Sequence, residues 1–245
     1  MKKRLDILLV ERGLFPTRAK ALAAVMAGSV SVDGRPQTKA GTPVSEDAEV
    51  SVASPCPFVS RGGLKLQAGL RAFPIRTAGR VCLDVGASTG GFTDCLLQAG
   101  ASKVYAIDVG TAQLDAKLRN DPRVTSREQT HARGLLPSQF DPLPDLAVID
   151  VSFISLTKVL PHIIPCLARP FDIVALVKPQ FELGPKEAPK GVVRTEETRL
   201  KAVGIVRGLL PTLGLREAGL LECPVHGPKG NVEYLLHLVP APAPS

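Results

Sequence analysis

The chain has 245 residues and a formal net charge of +7, and 44% of its residues are hydrophobic. That hydrophobic share can build a core, which excludes a disordered chain, and no apolar run reaches the ~18 residues of a membrane-spanning helix. The five cysteines lack C-x-x-C spacing and the four histidines form no ligand pattern. We therefore expect no disulfide framework and no metal site. Asp6 and Glu11 interrupt the N-terminal apolar segment, which argues against a signal peptide and for a cytoplasmic protein.

The first 45 residues hold a large part of the positive charge. They contain eight Lys and Arg residues against three acids, an excess of +5. A solvated basic surface would account for this excess. A face that binds a polyanion would account for it equally, because such a face gains affinity by releasing condensed counterions. Charge alone does not separate the two interpretations.

Two helices and short strands are predicted in this N-terminal part. Apolar residues at helical spacing begin at Leu5 and stop before Gly13, and a second helix is predicted from Arg18 to Ala27. The apolar residues of the second helix that we expect to face inward are Leu22, Val25 and Met26. Strands are predicted at residues 30–32, followed by an Asp-Gly turn, and at residues 49–53.

Three segments here resemble the S4-type RNA-binding domain: R-L-D-x-L-L-V-x-R-G-L, T-R-A-K-A and G-x-V-x-V-D-G. The resemblance covers about residues 1–53 and implies a helix pair that presents a basic face to structured RNA. It implies phosphate contacts at Arg4, Arg18, Lys20 and Lys39. Since this part has almost no aromatic residues, base stacking is not expected, and the domain should recognise the shape of the RNA.

Composition divides the rest of the chain. Residues 54–59 are predicted to form a linker, because two prolines hold the chain extended. The predicted domains are therefore an S4-like domain at 1–53, a second domain at 60–239 and a disordered tail at 240–245.

Beyond the linker, apolar strands alternate with helices. Strands are predicted at 81–85, 104–107, 124–126, 146–149 and 173–177, and helices at 91–98, 112–119, 155–167 and 196–210. This alternation predicts an α/β fold with a doubly wound, mostly parallel sheet. Two further strands, at 217–223 and 232–239, have only a loop between them and predict an antiparallel hairpin at the sheet edge.

A glycine-rich turn, L-D-V-G-A-S-T-G-G-F-T, follows the first of these strands, and an acid ends the second. Glycine lets the backbone approach a ligand because it has no Cβ, and the acid is placed to accept hydrogen bonds from ribose hydroxyls. The pattern D-x-G-x-x-x-G-G differs from the dinucleotide fingerprint G-x-G-x-x-G, so S-adenosylmethionine fits better than NAD. The predicted cofactor-binding residues are Asp84, Gly86, Ala87, Ser88, Thr89, Gly90, Gly91, Phe92, Asp108 and Val109, with Thr130 near the adenine.

Four ionisable residues occur at positions that such a sheet would bring together along the edge formed by the C-terminal ends of its strands. Lys65 precedes the first strand, Asp150 and Lys178 end the fourth and fifth, and Glu233 opens the last. Lys178 directly follows an apolar strand and precedes a proline, which is unusual for a surface lysine. Three of these residues also have simpler interpretations. Lys65 could be a solvated helix residue, Asp150 a helix cap and Glu233 an edge-strand charge.

Together these four residues resemble the Lys–Asp–Lys–Glu tetrad of the FtsJ-like ribose 2′-O-methyltransferases. The whole chain resembles the TlyA family, in which an S4 domain is joined to an FtsJ-like methyltransferase. The segments that carry the resemblance span nearly the whole chain: V-S-R-G-G-L-K-L, L-D-V-G-A-S-T-G-G-F-T-D, A-x-D-V-G, L-R-N-D-P-R-V, D-V-S-F-I-S-L, L-V-K-P-Q-F-E and G-N-V-E-Y. The linker departs from the family, because it reads Pro-Cys-Pro-Phe-Val in place of Arg-x-Trp-Val.

The resemblance implies a Rossmann-like class I methyltransferase with a seven-stranded sheet whose terminal strand is antiparallel. It implies methylation of cytidine ribose 2′-hydroxyls in ribosomal RNA by a monomer that uses S-adenosylmethionine and no metal, with Arg61 as a further RNA contact. The short C-terminus resembles the family form that acts on the large subunit, and the small subunit remains a second candidate. Family members are also labelled haemolysins.

The reaction needs the ribose oxygen aligned with the methyl group and its proton removed. Lys178 either accepts that proton or, as a cation, steers the oxygen lone pair; Asp150 and Glu233 orient it, and Lys65 positions the ribose or balances charge. A catalytically silent RNA-binding assembly factor remains the main alternative. A membrane-active haemolysin lacks the amphipathic helix it would need. A base methyltransferase would need an N-P-P-Y-like or cysteine loop where Asp150-Val-Ser-Phe stands.

Overall fold

The computed structural model describes residues 2–26, 28–52 and 56–242, and the chain divides into two units, Met1–Cys56 and Pro57–Ser245. The elements of the first unit are β1 (Lys2–Arg4), α1 (Leu5–Glu11), α2 (Arg18–Met26), β2 (Val30–Val32), β3 (Arg35–Gln37), β4 (Pro43–Ser45) and β5 (Val50–Val52). Strands β3, β2 and β5 form an antiparallel sheet in that order, and β1 pairs with β4. Strands β1, β3 and β4 are not predicted from the sequence, because Lys-Lys-Arg, Arg-Pro-Gln and Pro-Val-Ser lack the alternating valines that mark β2 and β5.

The helix pair of the first unit is as predicted, with one correction to its buried face. The leucines of α1 are buried, and Gly13, with a φ of +70°, follows the helix. In α2, however, Ala21 and Val25 are buried, whereas Leu22 is 40% exposed and Met26 is 66% exposed. Residues four apart share a helix face, so burial of Ala21 with Val25 turns both neighbours outward. Ala27, the predicted last residue of α2, lies outside the described residues.

The second unit begins before the predicted end of the linker. Phe58 is buried against Gly63, where a Cβ would overlap the phenyl ring. The N–H of Val59 donates to Asp94 Oδ2 at 2.9 Å. Phe58 and Val59 therefore form part of the second unit, and the start of the predicted linker, residues 54 and 55, lies outside the described residues.

A seven-stranded sheet organises the second unit. Its helices are α3 (Gly62–Ala72), α4 (Gly91–Gln98), α5 (Ala116–Arg119), α6 (Leu160–Ile163), α7 (Pro179–Glu182) and α8 (Glu196–Leu209). Its strands are β6 (Val81–Val85), β7 (Lys103–Ile107), β8 (Val124–Arg127), β9 (Leu146–Ile149), β10 (Asp172–Val177), β11 (Leu215–Glu222) and β12 (Tyr234–Pro240). The order is β11-β12-β10-β9-β6-β7-β8, and β12 alone among these seven runs in the direction opposite to the other six. The predicted fold class is confirmed.

Both faces of this sheet are buried. On one face Leu83, Ile149 and Val177 join one apolar cluster, and on the other Val148 and Leu176 join a second. Because the central strands β6, β7, β9 and β10 are covered on both sides, they appear in the sequence as nearly continuous apolar runs. This is why their positions are predicted to within a residue or two.

Two predicted helices are shorter than expected. The predicted helix at 112–119 is helical only in α5, where Asp115 caps the N-terminus through Lys117 N at 2.8 Å. Ala112 has a φ of +52°, which a helix does not allow. The predicted helix at 155–167 breaks into α6 and two flanking 3₁₀ turns. Pro161 and Pro165 lie in that stretch and lack the N–H groups that a continuous helix needs.

The last strand differs slightly from its prediction. It begins at Tyr234, so Glu233 lies directly before it, and it lies inside the sheet while β11 forms the edge. The predicted disordered tail starts too early, because Pro240 ends the strand and Ala241 N donates to Gly214 O at 2.8 Å. Residues 243–245 of that tail lie outside the described residues. Across the described ranges, no helix is long and apolar enough to cross a membrane.

Candidate active site

The four predicted catalytic residues meet at one edge of the sheet. Asp150 follows β9 and Lys178 follows β10, so both lie at the carboxyl edge of parallel strands. Glu233 lies at the same edge although it precedes its strand. This is because β12 is antiparallel to β10, and its first residue, Tyr234, pairs with Val177 at the end of β10. Lys65 comes from α3, which packs against α4 beside this edge. Topology therefore assembles side chains that are up to 168 positions apart in sequence.

The four residues form two ion pairs. Lys65 Nζ lies 2.6 Å from Glu233 Oε2, and Lys178 Nζ lies 2.5 Å from Asp150 Oδ1. Lys178 Nζ also donates to Ser152 Oγ at 2.9 Å. Lys65 is 8% exposed, Lys178 is 9% exposed and Glu233 is fully buried. A buried charge is tolerated when it is paired, so each member requires its partner.

A glycine permits the Lys65–Glu233 pair. A Cβ on Gly227 would overlap the carboxylate of Glu233, so the loop before β12 can lie against that carboxylate only because residue 227 is glycine. The pair is thus enclosed by α3 on one side and this loop on the other. We infer that the pair is a rigid part of the site.

The predicted cofactor turn has the geometry of a ligand cradle. Gly86 has a φ of +86°, and a Cβ there would overlap the carbonyl oxygen of Asp150. The carboxylate of Asp108 accepts from Ser88 N at 2.8 Å and from Gly110 N at 2.7 Å. Each carboxylate oxygen accepts one of these bonds and retains lone pairs for further donors, such as ribose hydroxyls.

Two adjoining cavities open at this edge. The larger, about 790 Å³, is lined by Asp108, Val109 and Thr130 and has the size of a small-molecule site. The smaller, about 410 Å³, is lined by Lys65 and Lys178. Gly86, Ser88 and Asp150 line both. The cradle therefore stands between a compartment suited to a nucleoside and a compartment lined by the ion pairs.

Most of the predicted cofactor-binding residues line these cavities, and two do not. Those that do are Gly86, Ala87, Ser88, Thr89, Gly91, Phe92, Asp108 and Val109, together with Thr130. A Cβ on Gly90 would overlap the side chains of Leu114 and Leu118, so this glycine faces those leucines and not a cavity. Asp84 is fully buried, and its carboxylate accepts from Thr93 Oγ1 at 2.6 Å. Asp84 therefore stabilises the turn through Thr93 and does not line a cavity. Burial raises the pKa of Asp84 to about 7.

Replacing Asp84 tests this supporting role. Because its pKa rises from 3.8 to about 7 on folding, the folded state holds the proton longer and wild-type stability falls as the pH rises through that window. Asp84→Asn keeps an acceptor for Thr93 without a charge, so it should gain stability relative to wild type between those values and hold the gain above them. Urea unfolding across pH measures this difference. A loss of S-adenosylmethionine affinity as large as that of Asp108→Asn would instead make Asp84 a cofactor ligand.

The larger cavity includes aromatic residues that were not predicted from the sequence. Phe153 is 91% exposed with a φ of +62°, and its ring centroid lies 5.0 Å from that of Phe181. Both phenylalanines line this cavity. Glu182 holds the loop that follows Phe153, accepting from Ser155 Oγ at 2.5 Å and from Leu156 N at 2.9 Å, and burial raises its pKa. The signal available in the sequence was the position of both phenylalanines within four residues of a strand end.

In the first unit, two of the predicted RNA-binding residues share one carboxylate. Asp6 is fully buried and accepts from Arg4 Nε at 3.1 Å and from Arg18 Nε at 2.8 Å. The bond from Arg4 is the main reason that the pKa of Asp6 falls to about 2. Lys20 and Lys39 are exposed. The structure thus fixes the two arginines together and leaves the two lysines on the surface.

We expect Asp6→Asn to destabilise the first unit by about 2 kcal/mol at neutral pH, because bonds between charged groups are lost. The folded pKa of about 2 lies below the ordinary 3.8, so this stabilisation is present above 3.8 and is lost as the pH falls toward 2. Amide hydrogen exchange of α1 in the full chain measures it. The exposed Asp47→Asn is the matched control. A difference from wild type that persists undiminished at pH 2 would contradict this assignment.

The fifth predicted RNA-binding residue, Arg61, lies in the second unit. It is exposed and lines the smaller cavity together with His226. The described residues contain no group of three or more His, Cys, Asp or Glu side chains placed to hold a metal ion.

Family models match both units. The FtsJ-like methyltransferase model matches residues 58–239, and the S4 domain model matches residues 3–50. The chain is 48% identical over 240 residues to the 16S/23S rRNA (cytidine-2′-O)-methyltransferase TlyA of Mycobacterium tuberculosis, covering 97% of this chain and 90% of the relative. It is 40% identical to Hemolysin A of Brachyspira hyodysenteriae, covering 96% and 99%. A solved structure from Streptococcus thermophilus that carries a hemolysin name is 42% identical, with a TM-score of 0.78 over 99% of this chain and 90% of that one.

Proposed function

Since this chain belongs to the TlyA family of S4-containing, FtsJ-like methyltransferases, we propose that it methylates a cytidine ribose 2′-hydroxyl of ribosomal RNA. The observation that carries the proposal is the two Lys–carboxylate ion pairs beside the glycine cradle. A fold that had only kept its shape as an RNA-binding assembly factor would not need to gather these four charges at one edge with three of them, Lys65, Lys178 and Glu233, buried, because a buried charge is costly.

The residues of the cradle fit S-adenosylmethionine. Gly86 leaves space that a Cβ would fill, and Asp108 offers carboxylate oxygens to a ribose in the larger cavity. When bound, the cofactor supplies a methyl group already activated by its sulfonium. The residues from Gly86 to Thr89 would hold it at the boundary of the two cavities. The protein must then bring the acceptor oxygen in line and manage one proton.

Lys178 is the group placed to handle the acceptor oxygen. An ammonium has three N–H donors, and Asp150 and Ser152 take two of them. We assign the third to the ribose 2′-oxygen, so that Lys178 directs an oxygen lone pair toward the methyl group. The Asp150 carboxylate is paired with Lys178 and lines the same cavity, where it can take the hydroxyl proton. Lys65, paired with Glu233, would position the ribose.

The first unit would dock the RNA. Arg4 and Arg18 are held side by side by Asp6 and keep outward N–H groups for phosphate oxygens, while Lys20 and Lys39 add exposed charge. Large-subunit RNA is the proposed substrate, and small-subunit RNA is the second candidate. A ribosomal substrate places the protein in the cytoplasm, where we propose that it acts as a monomer.

The test is methyl transfer from labelled S-adenosylmethionine to purified large and small ribosomal subunits that lack the modification. A ribose 2′-O-methyl blocks alkaline cleavage at its nucleotide, so it can be mapped. Label on a subunit together with alkali resistance at a cytidine is the expected result. Label without alkali resistance would mean base methylation. A protein that binds the cofactor and labels neither subunit would be the silent assembly factor.

A further inference from the structure

Two identical turns carry lysines in an unusual backbone conformation. The triplet Pro-Lys-Gly occurs at residues 189–191 and again at 228–230. Lys190 has a φ of +56° and Lys229 a φ of +59°, and each is followed by a glycine with positive φ. Glycine or asparagine adopts this conformation at less cost than lysine. The presence of lysine at this costly position in both turns suggests that its side chain has a use.

The two turns are joined to each other. Lys229 Nζ donates to the carbonyl of Lys190 at 2.9 Å. Asn231, which is buried, donates from Nδ2 to Gly191 O at 2.9 Å and accepts from Val193 N at 3.1 Å. The loop that precedes α8 and the loop that precedes β12 therefore form one surface, which we call the double-turn rim (residues 184–194 and 224–231).

The double-turn rim borders the smaller cavity. Val225, His226 and Gly227 line that cavity, and Gly227 also lies against the catalytic-site carboxylate of Glu233. Gly230 N donates to Gly227 O at 3.1 Å, which closes the turn that carries Lys229. Lys229 is thus two residues from the wall of the compartment in which we place the acceptor ribose.

Among its own residues the rim has an excess of exposed positive charge. Its exposed cationic residues are Lys186, Lys190, Arg194 and Lys229. Its acid, Glu187, is paired with Lys201 of α8 at 2.5 Å. The lysines inside the cavity are paired with carboxylates as well. Beside a neutralised catalytic site, such an exposed cluster attracts an anion.

We propose that Lys190 and Lys229 bind backbone phosphates of the RNA strand next to the nucleotide that enters the smaller cavity. This inference rests on the proposed function. An ammonium is a compact donor for phosphate oxygens, and Lys229 keeps two N–H groups after its bond to Lys190. Because a nucleotide has phosphates on both sides of its ribose, a cationic rim beside a ribose-binding cavity suits RNA. The contacts read no base, so they add affinity and orientation without sequence preference.

The test compares Lys190→Asn, Lys229→Asn and the double variant with wild type. Asparagine tolerates the left-handed backbone and removes the charge. The control is Arg216→Gln, which removes one exposed charge from β11 at the opposite edge of the sheet, where Arg216 pairs with Val239. We measure kcat and KM for unmodified ribosomal subunits, and the affinity for the same subunits as a function of KCl concentration.

Each single variant should raise KM several-fold with little change in kcat, and should lower the slope of log affinity against log salt by about 0.7–0.9. Lys190→Arg and Lys229→Arg should restore both values. Lys229 also bonds to the backbone of Lys190, so Lys229→Asn can lower the melting temperature. In that case the KM and salt slope of the Lys190 variants test the proposal. A Lys190→Asn protein that matches Arg216→Gln in KM and salt slope, or that loses kcat with unchanged affinity, would overturn the proposal. If the wild-type protein does not methylate the subunits, the proposed function is wrong. The salt dependence of subunit affinity would still test whether the rim binds phosphates.

Discussion

Lys178→Met is expected to lose methyl transfer by about 100- to 10,000-fold, the range of a positioned proton-transfer or steering group. The reason is geometric. Lys178 Nζ is the cation that links Asp150 and Ser152 at the junction of the two cavities, so its loss leaves the acceptor oxygen undirected. Single-turnover transfer to ribosomal subunits measures the chemical step, and calorimetric titration measures affinity for S-adenosylmethionine, which should be retained.

A matched variant separates this effect from general damage. Lys103→Met removes a lysine from the start of β7, at the opposite edge of the same sheet, and should transfer methyl groups at the wild-type rate. Lys178→Arg keeps the charge but replaces a compact donor by a planar fork, so it should restore little activity. Near-normal transfer by Lys178→Met would show that the steering group lies elsewhere.

Gly86→Ala is expected to reduce S-adenosylmethionine affinity by about 100-fold, the effect of misplacing binding groups by roughly 1 Å. The added Cβ would overlap the carbonyl oxygen of Asp150, which is backbone and cannot rotate away, and the φ of +86° disfavours any side chain. The turn must therefore shift away from β9, and it carries Ser88, whose N–H is bonded to Asp108, with it.

Gly208→Ala is the control for this change. It lies in α8, where a Cβ would meet no atom within 4 Å, so alanine should be neutral or stabilising there. Equal affinity of Gly86→Ala and wild type for the cofactor would show that the cradle is not the binding site. If Gly86→Ala also lowers the melting temperature, its affinity is compared under conditions in which the variant remains folded.

The two ion pairs make different demands on the site. Glu233 is fully buried and Lys65 nearly so, which makes that pair a fixed wall. Lys178 and Asp150 both line the cavity and can contact the acceptor, whereas of the other pair only Lys65 lines it. We therefore assign the orienting role mainly to the Lys65–Glu233 pair and the reacting role to the Lys178–Asp150 pair. The double-turn rim would have a third role outside the cavity, which is to place the RNA substrate.

Local sequence determined much of this protein. The central strands of the second unit are predicted closely, since a strand covered on both faces must be apolar along its length. The glycine turn at Gly86 and the acid at Asp108 are likewise local signals, because a positive φ and a strand-end carboxylate need only their neighbours. The break at Pro161 could have been recognised, since proline opposes a continuous helix, and Asp115 could have been recognised as the cap of a shorter helix.

Tertiary structure decided what those residues contact. Asp84 and Asp108 both look like cofactor ligands in sequence, yet only the packing of Thr93 over Asp84 removes it from the cavity. Lys65 and Glu233 meet because β12 runs antiparallel to its neighbours, and no local pattern encodes a contact across 168 positions. The double-turn rim likewise depends on Asn231 joining two distant loops. Periodicity and backbone preference act over a few residues and determine elements, whereas the pairing of buried charges depends on which strand ends share an edge.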